Sequence, residues 1–155
     1  MSPPAPVDRW SAAWPVVAVA AGLAVVLQLW GLYAPRLPAG TEWFPGADKV
    51  AHGVAFGLPV ALVMVADTMR RRSRGLRPRA RVLVLATWVS AAHAVVSELI
   101  QAAFYTDRRG DPLDLVADWS GITIAAMLTG FGIGLGRRGD VRRARAPGDG
   151  VSRHG

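Results

Sequence analysis

Residues 16–27 read VVAVAAGLAVVL and residues 122–135 read ITIAAMLTGFGIGL, and neither stretch contains a charged side chain. A helix on the surface of a soluble protein carries polar residues on its outer face, at every third or fourth position. These two stretches do not. With two further apolar blocks, they approach or exceed the roughly 20 residues that a helix needs to cross the hydrocarbon core of a bilayer. The sequence therefore predicts an all-α fold, a bundle of four transmembrane helices.

The four predicted spans divide the chain into a membrane domain and two tails. They cover residues 12–33, 50–66, 82–105 and 113–135. The second is short, which predicts that it begins earlier or lies in locally thinned lipid. The membrane domain takes in residues 12–136 and follows a tail of residues 1–11. Residues 137–155 are rich in Arg, Gly, Pro and Asp with almost no apolar side chains, a composition typical of a disordered tail.

The formal charge of +7 comes almost entirely from arginine, since Lys49 is the only lysine. Most of the arginines form two runs: Arg70, Arg71, Arg72, Arg74, Arg77, Arg79 and Arg81, then Arg137, Arg138, Arg142, Arg143 and Arg145. Both runs lie directly against the ends of apolar blocks, where the positive-inside rule places cations. No nucleic-acid partner is needed to explain them, and none is predicted. We expect the runs to contact anionic lipid head groups, at about 1 kcal/mol per residue.

The same arginines predict the orientation of the bundle. The loops after the first and third spans hold only four basic residues, Arg36, Lys49, Arg108 and Arg109. The loop after the second span and the tail after the fourth hold nearly all the others. This asymmetry predicts that both termini and the long basic loop are cytoplasmic (N-in, C-in), and that the other two loops are outside.

Polar and ionisable residues are concentrated at the predicted outer end of three spans. They are Asp48, Lys49 and His52 at the start of the second span, Glu98 and Gln101 near the end of the third, and Arg108, Asp111, Asp114 and Asp118 leading into the fourth. Ionisable groups in or near hydrocarbon are costly and by default suggest function. These nine residues are therefore the candidate ligand-binding set.

Helical spacing predicts that these residues face one another. Asp111, Asp114, Asp118 and Gly121 step by three, four and three, which makes one narrow stripe on the fourth span. A polar stripe that faced lipid would be left unsolvated, so it must face the other helices. Helices pack at about 8–10 Å, so side-chain atoms of His52, Glu98 and Asp118 are expected within about 10 Å of one another.

Two structural explanations compete with a binding site. Asp48, Asp111 and Asp114 lie at helix starts, where carboxylates cap free N–H groups and favour the helix dipole. Glu98 lies in the last turns of its span, where the dipole disfavours an anion. It therefore needs a cation such as Lys49, His52, Arg108 or Arg109, and a Glu–Arg pair that merely holds the bundle together would satisfy it. His93, deeper in the membrane, is interpreted as a hydrogen-bonded interior residue.

The pattern Asp48-Lys49-x-x-His52, then Glu98-x-x-Gln101, then Arg108 with Asp111, Asp114, Asp118 and Gly121, resembles the VanZ-like family of small bacterial membrane proteins. The likeness covers residues 48–135. The family takes its name from an association with resistance to teicoplanin-type glycopeptide antibiotics. The resemblance therefore implies a role in the bacterial cell envelope and location in the plasma membrane. It supplies no reaction. Asp118 stands where many members carry asparagine, which makes the predicted pocket more acidic.

Three functions follow from a polar pocket at this place, and the sequence favours the first. It is a binding protein for a lipid-linked or peptidoglycan-related head group. The alternative is an enzyme acting on such a head group, with an acid–base or metal-assisted carboxylate and histidine site. An ion pathway is disfavoured, because the spans become apolar below the pocket. No motif such as HExxH, G-x-S-x-G or a P-loop identifies a reaction, so enzymatic activity and a metal stay open. No cofactor is predicted, and the absence of cysteine excludes thiolate metal sites.

Overall fold

A computed structural model describes residues 9–34, 44–105 and 111–145. It contains four helices, α1 (Arg9–Tyr33), α2 (Ala47–Arg72), α3 (Ala80–Phe104) and α4 (Pro112–Arg145). The described residues contain no strand. Each helix is long and apolar enough to cross a membrane. The predicted fold class, an all-α bundle of four membrane-spanning helices, is confirmed.

All four helices begin one to three residues before their predicted spans, and α2 and α4 also continue well beyond the predicted ends. α2 begins at Ala47 and continues to Arg72. Gly46, the residue before it, has a φ of 82°, in the left-handed region that favours glycine. Asp48 in its first turn and three arginines in its last turn both favour the helix dipole. α4 continues to Arg145, although residues 137–145 were predicted to be disordered. Arginine is a good helix former, and positive charge is favourable at a helix C-terminus, so this basic segment prolongs the helix. Residues 146–155 lie outside the described residues.

The helices run alternately up and down, and α2 and α4, which are parallel, share the most extensive interface. α1 packs chiefly on α2, while α3 packs on α4 and, less extensively, on α2. The bundle is therefore built around a central parallel pair with one helix on each flank. The ends of α1 and α3 and the starts of α2 and α4 come together at one end.

Three glycines allow α2 and α4 to approach this closely. A Cβ atom on Gly57 would lie 2.6 Å from the carbonyl oxygen of Gly121, and one on Gly53 would lie 3.2 Å from that of Ala117. A Cβ on Gly121 would overlap the carbonyl oxygen of Gly53. Small residues four apart are a common device for packing membrane helices backbone to backbone. The packing role expected of Gly121 is thus seen directly.

The buried core is small and lies along this central pair. Phe56, Val60, Ala94, Ile122 and Ala125 are its main members. Many large apolar side chains point outward instead, among them Val19, Leu23, Trp88, Leu128 and Phe131, each more than half exposed. An apolar surface of this extent on every side of a bundle requires a hydrocarbon environment. The chain is a multi-pass membrane protein.

The start of α1 and the end of α2 meet at the end of the bundle opposite the polar residues. The guanidinium carbon of Arg72 lies 5.5 Å from the ring centre of Trp10, and that of Arg70 lies 5.9 Å from that of Trp14. Cation–π contacts of this kind suit a membrane interface. Because the helices alternate, both arginine runs flank this same end. The N-in, C-in orientation itself stays a prediction.

Cysteine scanning in a chain that has no cysteine tests the orientation. Gly40→Cys and Gly110→Cys, in the loops predicted to be outside, should react with an impermeant thiol reagent applied to whole cells. Leu76→Cys, about half exposed in the basic loop after α2, should react only after the cells are permeabilised. The reversed pattern of labelling would contradict the positive-inside assignment and would move the polar end of the bundle to the cytoplasm.

Candidate functional site

Lys49 is the centre of the polar end of the bundle. Its ammonium nitrogen lies 2.9 Å from Asp48 Oδ2, 2.7 Å from Asp111 Oδ2 and 2.5 Å from Asp114 Oδ1. Lys49 extends from the first turn of α2, and Asp111 and Asp114 flank the start of α4. The two helix starts are therefore held together by one cation shared among three carboxylates.

His52 and Asp118 form the next layer, one turn deeper. The His52 Nδ1–H donates a hydrogen bond to Asp118 Oδ1 over 3.0 Å. His52 Nε2 is 3.7 Å from Asp114 Oδ2. Lys49 and His52 are three residues apart on α2, and Asp114 and Asp118 are four apart on α4, so each pair shares a helix face. Asp118 is completely buried.

Glu98 completes this layer from α3. Its Oε2 accepts a hydrogen bond from the backbone N–H of Asp111 at 3.0 Å. One ligand-type atom from each of His52, Glu98 and Asp118 lies within 4.8 Å of the others, which confirms the predicted meeting of the three spans. Glu98 Oε1 and Asp118 Oδ2 are buried and have no hydrogen-bond partner among the described residues. The residues of both layers together are called the polar cluster: Asp48, Lys49, His52, Glu98, Asp111, Asp114 and Asp118.

Asp111 both caps α4 and belongs to the polar cluster. Its Oδ1 accepts from the N–H of Leu113 at 2.9 Å, while its Oδ2 contacts Lys49. The Lys49 ammonium, and to a lesser degree the Leu113 N–H, lower the pKa of the Asp111 carboxyl below its ordinary value. The capping explanation is confirmed at this residue without excluding the site. At the start of α2 the cap position is Gly46, and Asp48 in the first turn pairs with Lys49.

Gln101 and His93 connect α3 to α1. The Gln101 amide donates to the carbonyl oxygen of Leu32 at 3.2 Å, and Gln101 is buried. The Tyr105 hydroxyl donates to the carbonyl oxygen of Tyr33, whose own hydroxyl is hydrogen-bonded to His93 Nε2 at 3.1 Å. Gln101, predicted as a ligand-binding residue, thus ties two helices together. The interpretation of His93 as a hydrogen-bonded interior residue is confirmed.

Arg108, also predicted to bind the ligand, lies outside the described residues. Of the partners proposed for Glu98 that the structure describes, Lys49 makes its contacts with three aspartates, and His52 is the one grouped with Glu98. The described part of the polar cluster holds five carboxylates against one lysine and one histidine. Its charge is therefore negative even when His52 is protonated. This balance favours bound cations and amines over bare anions.

A groove between α1 and α2 reaches the polar cluster, and the sequence did not predict it. Its volume is about 490 Å³, and it is lined mostly by apolar residues of both helices, with Asp48 and His52 at its polar end. α1 contributes Leu27, Gly31 and Leu32. Nothing in the first span marked it as part of a site. The other unforeseen element, the approach of α2 to α4, did have a signal in the Gly53-x-x-x-Gly57 spacing.

Comparison with known proteins adds no relative. No protein-family model, curated protein or solved structure matches this chain.

Proposed function

We propose that this chain is a VanZ-like protein of the bacterial plasma membrane that binds a membrane lipid, holding its head group in the polar cluster and a hydrocarbon chain in the α1–α2 groove. The observation that carries the proposal is the junction of the two features. Asp48 and His52 belong to the polar cluster and also line the groove. An amphipathic ligand is the one kind of molecule that matches both halves.

The groove is open to the lipid phase. Leu27, Val54 and Leu58 line it and are each 46% to 64% exposed, on a surface that hydrocarbon covers. A chain lying there would exchange one apolar contact for another, so burial of the chain contributes little affinity in a bilayer. Affinity and selectivity must come from the head group, which meets buried charges in a region of low dielectric.

The chemistry of the polar cluster restricts the head group. Carboxylates accept hydrogen bonds from amines and hydroxyls, and an acidic site repels a phosphate that arrives without a cation. The described residues thus favour an amine-bearing or polyhydroxyl head group, or a phosphate held through a positive ion. A lipid-linked envelope precursor fits this description. Such a ligand is consistent with the resemblance to VanZ-like proteins and with a link to glycopeptide resistance.

Native mass spectrometry of the purified full-length chain tests the proposal. The protein is offered equal amounts of phosphatidylcholine, phosphatidylethanolamine and undecaprenyl phosphate. We expect phosphatidylethanolamine to be retained about tenfold over phosphatidylcholine, the effect of one charge-assisted hydrogen bond, and the prenyl phosphate to be retained over phosphatidylcholine only when a cation is bound in the site. The quaternary ammonium of choline has no N–H to donate to the carboxylates. Equal retention of all three lipids would refute a selective head-group site.

Two α1 glycines provide a matched pair of variants for the groove. Gly31 lines the α1–α2 groove beside Asp48 and His52, and Gly22 lies on the same helix away from it. A Cβ atom added at either position meets nothing within 4 Å. Gly31→Leu should therefore fill the groove and reduce lipid retention, whereas Gly22→Leu should not. The same retention in both variants would mean that the lipid does not lie in this groove.

One observation favours the alternative, an enzyme acting on the head group. The imidazole of His52 is hydrogen-bonded to the fully buried carboxylate of Asp118, an arrangement that orients a general base. The same mass spectra would detect such a reaction. Conversion of a retained lipid to a product of different mass during incubation, abolished by His52→Gln, would identify an enzyme rather than a binding protein.

A further inference from the structure

We infer that the polar cluster binds a divalent metal ion through the carboxylates of Glu98 and Asp118 and the imidazole of His52. This inference rests on the proposed function, because the ion would lie in the same head-group site. The metal ion would be the positive ion through which the acidic site holds a phosphate head group. Three features of the cluster support such an ion: the positions of the ligand atoms, two unsatisfied oxygens, and the balance of charge.

The three side chains converge from three different helices. His52 comes from α2, Glu98 from α3 and Asp118 from α4, and one ligand-type atom of each lies within 4.8 Å of the other two. Atoms bound to one metal ion lie about 3–4 Å apart when each metal–ligand distance is about 2.0–2.2 Å. A small contraction would therefore bring the three atoms around one ion. The layer is held from outside by the Lys49 contacts and from beneath by the close approach of Gly53 and Gly121.

Two carboxylate oxygens in this layer lack partners. Glu98 Oε2 accepts from the N–H of Asp111, and Asp118 Oδ1 accepts from His52. The other oxygens, Glu98 Oε1 and Asp118 Oδ2, are buried without a hydrogen-bond partner among the described residues. Glu98 is 9% exposed and Asp118 is 0% exposed. An unsatisfied buried acceptor costs about 1–3 kcal/mol, and more when it is charged. A metal ion would satisfy both oxygens at once.

The balance of charge points to a divalent ion. Lys49 contacts Asp48, Asp111 and Asp114, and its contacts among the described residues do not include Glu98 or Asp118. His52 supplies at most one positive charge for two buried carboxylates. Two like charges this close in a region of low dielectric are strongly unfavourable unless a cation lies between them. A divalent ion neutralises both and leaves His52 neutral, as a metal ligand must be.

The donor set indicates which ions fit. One imidazole nitrogen and two carboxylate oxygens suit Mn²⁺ and Zn²⁺, whereas Mg²⁺ and Ca²⁺ prefer oxygen ligands throughout. Three protein ligands also leave coordination positions for an exogenous group. A phosphate oxygen of a lipid head group is suited to such a position. The ion would thereby convert an acidic site that repels phosphate into one that binds it.

The test uses the full-length protein in detergent, stripped with a chelator and then titrated with Mn²⁺ or Zn²⁺ by calorimetry. We expect one ion per chain. Glu98→Gln and Asp118→Asn should each weaken binding by at least about 100-fold, the upper end of the effect of removing a supporting residue around a metal. Asp67→Asn is the matched control. Asp67 also has a buried carboxylate oxygen without a described partner, but it lies toward the opposite end of α2. Binding should be unchanged there.

Thermal melts separate metal ligation from a structural clamp. Without metal, Glu98→Gln and Asp118→Asn should melt at or above the wild-type temperature, because each relieves repulsion between carboxylates. Only the wild type and Asp67→Asn should be stabilised further by added metal. A fall in melting temperature for Glu98→Gln that Arg108→Gln restores would show that Arg108 is the partner of Glu98. That result would overturn the metal site.

A spectroscopic measurement keeps the inference testable if the variants fail to fold. Pulsed electron paramagnetic resonance of Mn²⁺ bound to the wild type should show coupling to an imidazole nitrogen, and this coupling should change when histidine is labelled with ¹⁵N. His154→Asn, in the C-terminal tail, should leave the coupling unchanged. Absence of a stoichiometric Mn²⁺ or Zn²⁺ ion, or of imidazole coupling, would overturn the proposed ligand set.

Repeating the lipid experiment on metal-free protein distinguishes this inference from the proposed function. Selective retention of the prenyl phosphate only when metal is present supports both. Selective lipid retention that is unchanged by chelation would overturn the metal site and leave the lipid site in place. Stoichiometric metal binding without selective lipid retention would overturn the lipid site and leave the metal site in place.

Discussion

Gly121→Ala is expected to destabilise this protein more than any other single-methyl change in the described part of the chain. Alanine normally stabilises a helix relative to glycine by about 0.5–1 kcal/mol. Here the added methyl would overlap the carbonyl oxygen of Gly53, which belongs to the backbone and cannot rotate away. α2 and α4 must then separate. We expect a loss of about 3 kcal/mol or more in the free energy of unfolding, at or beyond the upper end for overpacking.

Gly132→Ala on the same helix is the matched control, since a Cβ there meets nothing within 4 Å. It should be neutral or slightly stabilising. Thermal melts in one detergent, supported by chemical unfolding, give both values. The separation forced by Gly121→Ala should also move Asp114 and Asp118 away from α2, so metal and lipid binding should fall with stability. Equal stability of the two alanine variants would mean that the close contact of α2 and α4 is not present in the folded protein.

Lys49→Met is expected to have the second largest effect. It removes the cation that three carboxylates share and leaves Asp111 and Asp114 facing each other. Breaking a buried ion pair from one side costs about 3–5 kcal/mol, but the Lys49 side chain is 29% exposed and that of Asp114 is 15% exposed, so about 2–3 kcal/mol is expected here. Adding Asp114→Asn should recover a large part of this loss. Unfolding of both single variants and the double variant measures the coupling directly.

Asp48→Asn is the control for this cycle. The Asp48 side chain is 45% exposed, so solvent screens its contact with Lys49 and the contact should contribute little to stability. A loss in Asp48→Asn as large as that in Lys49→Met would contradict the assignment of Asp111 and Asp114 as the main partners. Purely additive effects of Lys49→Met and Asp114→Asn would contradict it as well.

The pH dependence of stability gives an independent check on the same contact. Lys49 lowers the pKa of Asp111 in the folded protein below its ordinary value of 3.8. A lowered folded-state pKa contributes stability that is fully present above the ordinary value and is lost as the pH falls through the lowered one. Wild-type stability should therefore decline below about pH 4, and this decline should be shallower in Lys49→Met, whose Asp111 lacks the cation.

Much of the site could be predicted from the sequence, because hydropathy indicates how deep a residue lies in the membrane and helical periodicity indicates which face of its helix it occupies. Charge-free stretches such as residues 122–135 determined the four spans. The spacing of Asp111, Asp114 and Asp118 determined that one face of α4 is polar, and the positions of His52 and Glu98 placed them at the same depth. These properties depend on residues close together in the chain, so they can be deduced before any helix is paired with another.

Only the tertiary structure decided which helices pack backbone to backbone. It made α2 and α4 the central pair, because glycines at 53, 57 and 121 remove the side chains that would hold the two backbones apart. That contact places Lys49 among Asp48, Asp111 and Asp114, and it leaves one oxygen each of Glu98 and Asp118 without a described partner. The packing of α1 on α2 leaves a groove that is lined in part by His52. The pairing of two helices depends on how well their two surfaces fit together. The residue pattern of one helix describes only its own surface, so it does not determine the partner.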